Sequence, residues 1–200
     1  MLIGLLFSIG IGFSSFLNLS LTGSPRPIST GASAAQPTNP QPAYGATLEH
    51  SPTFSGAIRP GSAAPDFKLH LLNKDLEYSL SQFQGDAVVL NFWASWCDQC
   101  KLETPLLEKA YQQEKENGLV ILGIDLGNED TLTDALNFES KFGVTYPLLR
   151  DDGDAVARSY LVYGIPTSVF ISRTGKIQLN HIGSLDEGEL QLSLSQIQGR

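Results

Sequence analysis

Residues 87–100 read AVVLNFWASWCDQC. The first seven form an almost unbroken apolar, β-favouring run, the pattern of a strand covered on both faces. From Cys97 to about residue 117 the pattern is helical, with Pro105 inside to kink it. Two cysteines spaced C-x-x-C therefore stand where a buried strand hands over to a helix. A helix N-terminus offers unpaired N–H groups and the positive end of the dipole, and both stabilise a thiolate. Cys97 is expected to be the nucleophile that attacks a disulfide. Cys100, one helical turn further in and more deeply placed, is expected to resolve the mixed disulfide.

The chain has only these two cysteines. A small domain stapled by disulfides would carry several, spread along the sequence. A bridge across two residues closes too short a loop to stabilise much, so the pair points to chemistry. The competing readings are half of a zinc site and an inert pair. Zinc would need two more ligands, and His50, His70 and His181 are isolated, without paired spacing. No metal and no cofactor is expected.

Working outward, residues 66–72 and 76–79 read as a short hairpin about Asn73-Lys74. LVILGID at 119–125 is a second buried strand, and 130–142 an amphipathic helix. A short edge strand is expected at 145–149 and a short helix at 154–160. Residues 167–172 and 176–182 form a hairpin across Arg173-Thr174-Gly175, and 186–196 a closing helix. Strand–helix–strand followed by strand–strand–helix gives an α/β domain, a central mixed β-sheet flanked by helices, with the N-terminal β-hairpin as an addition. Apolar residues make up 42% of the chain, enough for a packed core in this part.

Residues 1–23 carry no charged side chain and approach the ~20 residues that span a bilayer. They read as a signal-anchor helix. A cleaved signal peptide, with Ala32-Ser33-Ala34 as a distant small-x-small site, and a buried soluble helix are the alternatives. No Lys or Arg precedes the segment and Arg26 follows it, so charge bias does not set its orientation. Residues 24–60 are rich in Pro, Gly, Ser, Ala and Thr without apolar periodicity, the composition of a flexible linker. Residues 61–200 form the globular domain. The formal net charge of -8 argues against nucleic acid as a partner.

NFWASWCDQCKLETP at 91–105 and YGIPTSVFISRTGKI at 163–177 resemble the TlpA/ResA family of membrane-anchored thioredoxin-like proteins, related to AhpC/TSA. The likeness spans about residues 65–194. Trp96-Cys97-x-x-Cys100, Glu103, Pro105 and Gly164-Ile165-Pro166-Thr167 carry it. The resemblance implies a thioredoxin fold and a thiol–disulfide oxidoreductase on the extracytoplasmic side of a membrane. It implies a disulfide-containing exported protein as substrate, often on the route to cytochrome c, and a membrane-embedded electron donor. Pro166 matches the family's cis-proline, whose bond aims the preceding backbone at an incoming chain; Ile165 and Trp96 then belong to the substrate groove. Glu103 matches the family's acidic residue six places after the first cysteine, near enough to exchange a proton with Cys100. The alternatives are an ordinary turn proline and a solvated helix glutamate. Trp93 reads equally as core.

Three positions depart from common thioredoxin patterns. Asn91 stands where many thioredoxins carry a buried Asp, as is usual in this branch, and it cannot shuttle a proton. Gln99 replaces a frequent proline before the second cysteine. Asp98 puts a negative charge beside the nucleophile, opposing the helix terminus. Two other classes compete. A peroxiredoxin-like peroxidase would want Thr three places before the reactive cysteine, where this chain has Ala94. A Cu(I)-handling module would use both thiolates and gain from a Met ligand, but Met1 is the only methionine.

Overall fold

The computed structural model describes residues 58–199. The expected N-terminal helix at 1–23 and nearly all of the linker at 24–60 lie outside these residues. Among the described residues, no helix is long and apolar enough to cross a membrane.

The run AVVLNFW is strand β3 (Ala87–Trp93), buried along its whole length. It lies in a seven-stranded sheet of order β2-β1-β5-β4-β3-β6-β7. Here β1 is Lys68–Leu71, β2 is Glu77–Ser79 and β4 is Leu119–Leu126. The remaining strands are β5 (Leu148–Asp151), β6 (Thr167–Ile171) and β7 (Ile177–Ile182). The β3–β4 and β4–β5 pairs are parallel. The β3–β6, β6–β7, β1–β5 and β1–β2 pairs are antiparallel. The sheet is mixed, as expected, and the hairpin β1–β2 extends it beyond β5.

Period-two alternation along β3 divides the core. Ala87, Val89 and Trp93 join one cluster with Leu107, Ala110, Phe138, Leu190 and Leu194. Those partners come from α1 (Asp98–Glu114), α2 (Leu132–Phe142) and α4 (Glu187–Gln198). Val88, Leu90 and Phe92 join the other cluster with Val156, Ala157 and Tyr160, at α3 (Ala155–Ser159). Helices thus cover both faces, which is why β3 and β4 carry no polar face.

One strand differs from expectation. Residues 145–149 were to be an edge strand; β5 instead starts at Leu148 and pairs with both β1 and β4. Pro147 cannot donate to a ladder, which shifts the strand onward. The added hairpin covers what would otherwise be the edge. Helix α1 runs through Pro105 and ends at Glu114, followed by a single tighter turn over Lys115–Asn117.

Candidate active site

Cys97 is the N-cap of α1, and its Sγ accepts the Cys100 backbone N–H at 3.1 Å. The two sulfurs are joined as a disulfide, with Cα atoms 5.3 Å apart. Cys97 is 6% exposed and Cys100 is 1% exposed. The turn before them closes through the Cys97 N–H, which donates to the Ala94 carbonyl at 3.1 Å.

Topology assembles the rest. In the β3–β6 pair Phe92 lies opposite Thr167. The segment entering β6, Gly164–Pro166, therefore stands at the end of the sheet from which the chain leaves β3 for the cysteines. The Ile165–Pro166 peptide bond is cis. Pro166 is buried, and its carbonyl accepts the Gly183 N–H at 2.9 Å. Ile165 packs against both core clusters. Trp96 is half exposed, and its indole N–H donates to the Glu129 carbonyl at 2.8 Å. Between Trp96 and the 163–165 segment lies a cleft of about 440 Å³, also lined by Leu126 and Arg158. Tyr163 beside it is 86% exposed. Trp93 is a core residue, its ring centroid 4.3 Å from that of Phe138.

Glu103 is not a solvated helix glutamate: it is 1% exposed. Its Oε1 accepts the Asn91 side-chain amide at 2.7 Å, and its Oε2 accepts the Leu185 backbone N–H at 3.0 Å. Asn91 also donates to the Ser168 hydroxyl at 3.1 Å. Burial holds the Glu103 carboxyl above its ordinary range, opposed by the Leu185 and Asn91 hydrogen bonds and by His181. Asn91 thus serves as a direct donor to the one acid buried on the active-site helix. The loop before α4 also reaches the motif itself, since the Ser184 hydroxyl donates to Gln99 at 3.1 Å.

Asp98 does not stand beside the nucleophile unopposed. Lys101 pairs with it at 2.7 Å and holds its carboxyl below the usual range. Sequence reading missed a further group. Asp130, in the loop after β4, accepts both the backbone N–H and the hydroxyl of Ser95, the hydroxyl at 2.7 Å. The available signal was position alone: a carboxylate just past the C-terminal end of the strand parallel to β3.

Comparison with known proteins follows the same lines. The AhpC/TSA family profile matches residues 60–180. The thiol-disulfide oxidoreductase ResA of Oceanobacillus iheyensis is 34% identical over 142 residues, covering 70% of this chain and 73% of that protein. ResA of Geobacillus kaustophilus is 33% identical over 145 residues, covering 72% and 82%. A putative thiol:disulfide interchange protein DsbE from Chlorobium tepidum superposes with a TM-score of 0.66 at 30% identity, over 72% of this chain and 100% of that one.

Proposed function

The chain belongs to the AhpC/TSA family and is a thiol–disulfide oxidoreductase of the ResA type, and from that premise we propose that it reduces disulfides of exported proteins outside the cytoplasm. The observation that carries this reading is the Cys97–Cys100 pair at the N-terminus of α1, backed by a buried carboxyl. In the reduced protein the Cys97 thiolate attacks one sulfur of a substrate disulfide. A Cys97–substrate bond forms, the substrate bond breaks, and the departing sulfur takes a proton. Cys100 then loses its proton and attacks the Cys97 Sγ, which expels the second substrate thiol. The substrate has gained two electrons, and Cys97–Cys100 is left as the disulfide.

Glu103 is assigned the role of accepting the Cys100 proton. Pro166 and Ile165, with Trp96 across the cleft, are assigned to the incoming chain. Residues 1–23 are assigned to a membrane anchor, 24–60 to a tether and 61–200 to the catalytic domain. A membrane-embedded dithiol donor would return the two electrons, and apocytochrome c is a substrate of fitting chemistry.

Trapping tests the assignment. Cys100→Ser should accumulate mixed disulfides with substrate, and Cys97→Ser none. Faster alkylation of Cys100 than of Cys97 in the reduced protein would overturn it.

A further inference from the structure

The residues just before Cys97 are gripped from below by a group that the exchange chemistry does not itself use. Ser95 and Trp96 occupy the middle of the turn closed by the Cys97 N–H on the Ala94 carbonyl. Asp130 takes the Ser95 N–H and hydroxyl, while the neighbouring Glu129 carbonyl takes the Trp96 indole N–H. The 127–130 loop is itself fastened from β5. The Arg150 guanidinium donates to the Gly127 carbonyl at 2.9 Å and to the Asp130 carbonyl at 2.8 Å. It also pairs with the fully buried Asp125 at 2.6 Å and with Asp152 at 2.6 Å. A Cβ at Gly127 would meet the Asp152 Cα at 2.7 Å, so the two loops lie backbone against backbone.

We propose that Asp130 is a positioning residue for disulfide exchange: acting through Ser95, and braced by Arg150 and Asp125, it fixes the turn that presents Cys97 at the helix N-terminus. This rests on the thiol-exchange reading above. The physical reason is geometric. The Cys97 sulfur is stabilised by the Cys100 N–H only while Cys97 holds its capping position. A turn free to shift would leave the thiolate poorly donated to and poorly aimed.

Electrostatics and positioning make opposite forecasts. Replacing a carboxylate near a thiol by a neutral amide, taken as electrostatics alone, lowers that thiol's pKa. Losing the turn geometry raises it. The other titratable and charged groups about this turn are Glu129 on the loop, Lys101 and Asp98 on α1, Asp134 and Lys141 on α2, Asp154 and Arg158 along the cleft, and Arg150, Asp125 and Asp152 behind it. All of them stay in place in the variants.

The experiment compares the reduced full-length protein with Asp130→Asn and Ser95→Ala. It follows iodoacetamide alkylation of Cys97 across pH and the rate of attack on insulin disulfides. Thermal melting of the oxidised proteins verifies folding. Asp130→Asn should move the alkylation midpoint to higher pH and slow attack on insulin about tenfold. Ser95→Ala, which keeps the backbone N–H bond, should move both in the same direction by less. If Asp130→Asn does not fold, Ser95→Ala decides alone. A midpoint moved to lower pH, or rates within about twofold of wild type throughout, would overturn the proposal. Wild-type protein that alkylates normally yet leaves insulin untouched would count against the functional reading, while the alkylation arm still judges Asp130.

Discussion

Glu103 ionises only against the cost of its own burial, with two N–H donors from Asn91 and Leu185 offsetting part of that cost. Ionised, it resists a second negative charge at Cys100 and can take the Cys100 proton. Glu103→Gln keeps the shape and removes both effects. Resolution of a preformed mixed disulfide should slow at least about tenfold near neutral pH, with attack by Cys97 much less affected. Stopped-flow decay across pH measures this; equal rates in both proteins would leave Glu103 a structural acid. Both Asn91 and Glu103 were legible as notable residues. Their contact was not, because one sits on a strand and the other on a helix, and no local periodicity joins them. The burial of Glu103 was hidden for the same reason: a lone carboxylate on a helix ordinarily faces water. Asp98 shows the reverse error of isolation. Its neighbour Lys101, one turn along, pairs with it, although at this exposure the pair contributes little to stability.

The strand β5 and the loop after β4 show what the element level adds. The strand expected at 145–149 stops short of Arg150 and Asp151, which belong to β5 although charges are rare in buried strands. In the sheet Arg150 lies opposite Asp125 in register and donates a hydrogen bond to that carboxyl. The apolar strands β3 and β4, by contrast, were readable from their runs alone, because covering on both faces demands apolar residues at every position. Burial and the nearby Asp130 carboxylate push Asp125 up to about 8 against the pull of Arg150. A carboxyl raised on folding stabilises the protein while protonated in the fold. That contribution is fully present below its ordinary value of 3.8 and is lost as pH rises through about 8. Asp125→Asn cannot ionise. Its melting temperature should fall less steeply than that of wild type as pH rises from mildly acidic to about 8, since the amide oxygen still accepts the Arg150 N–H but has no proton to lose. Parallel curves for the two proteins would show that Asp125 is ionised throughout.

On the scale of the whole molecule, one end of the sheet gathers the residues assigned to the proposed chemistry. The exit from β3 brings Cys97, the loop after β4 brings Asp130, the entry to β6 brings Pro166, and the loop after β7 brings Leu185 to Glu103. The C-x-x-C motif and the run before Pro166 were legible as separate signals; their meeting is a product of the β3–β6 pairing. The proposed anchor at 1–23 makes a cellular forecast: the intact protein should fractionate with membranes, its catalytic domain open to protease from the extracytoplasmic side. Soluble full-length protein with an intact N-terminus would remove the anchor.

The direction of electron flow follows from which redox form the site favours. A strong oxidant holds its reduced form down by stabilising the thiolate. Here the helix terminus helps the thiolate, while Glu103, buried on the same helix, opposes it when ionised; Asp98 is paired with Lys101. In the proposed reductase role this balance is expected to favour the disulfide. Equilibration of the purified protein in thiol redox buffers, read by trapping free thiols, tests this most directly. A potential near about -270 mV or below is the result expected of a reductase, and one near about -120 mV would mark an oxidant and contradict the account.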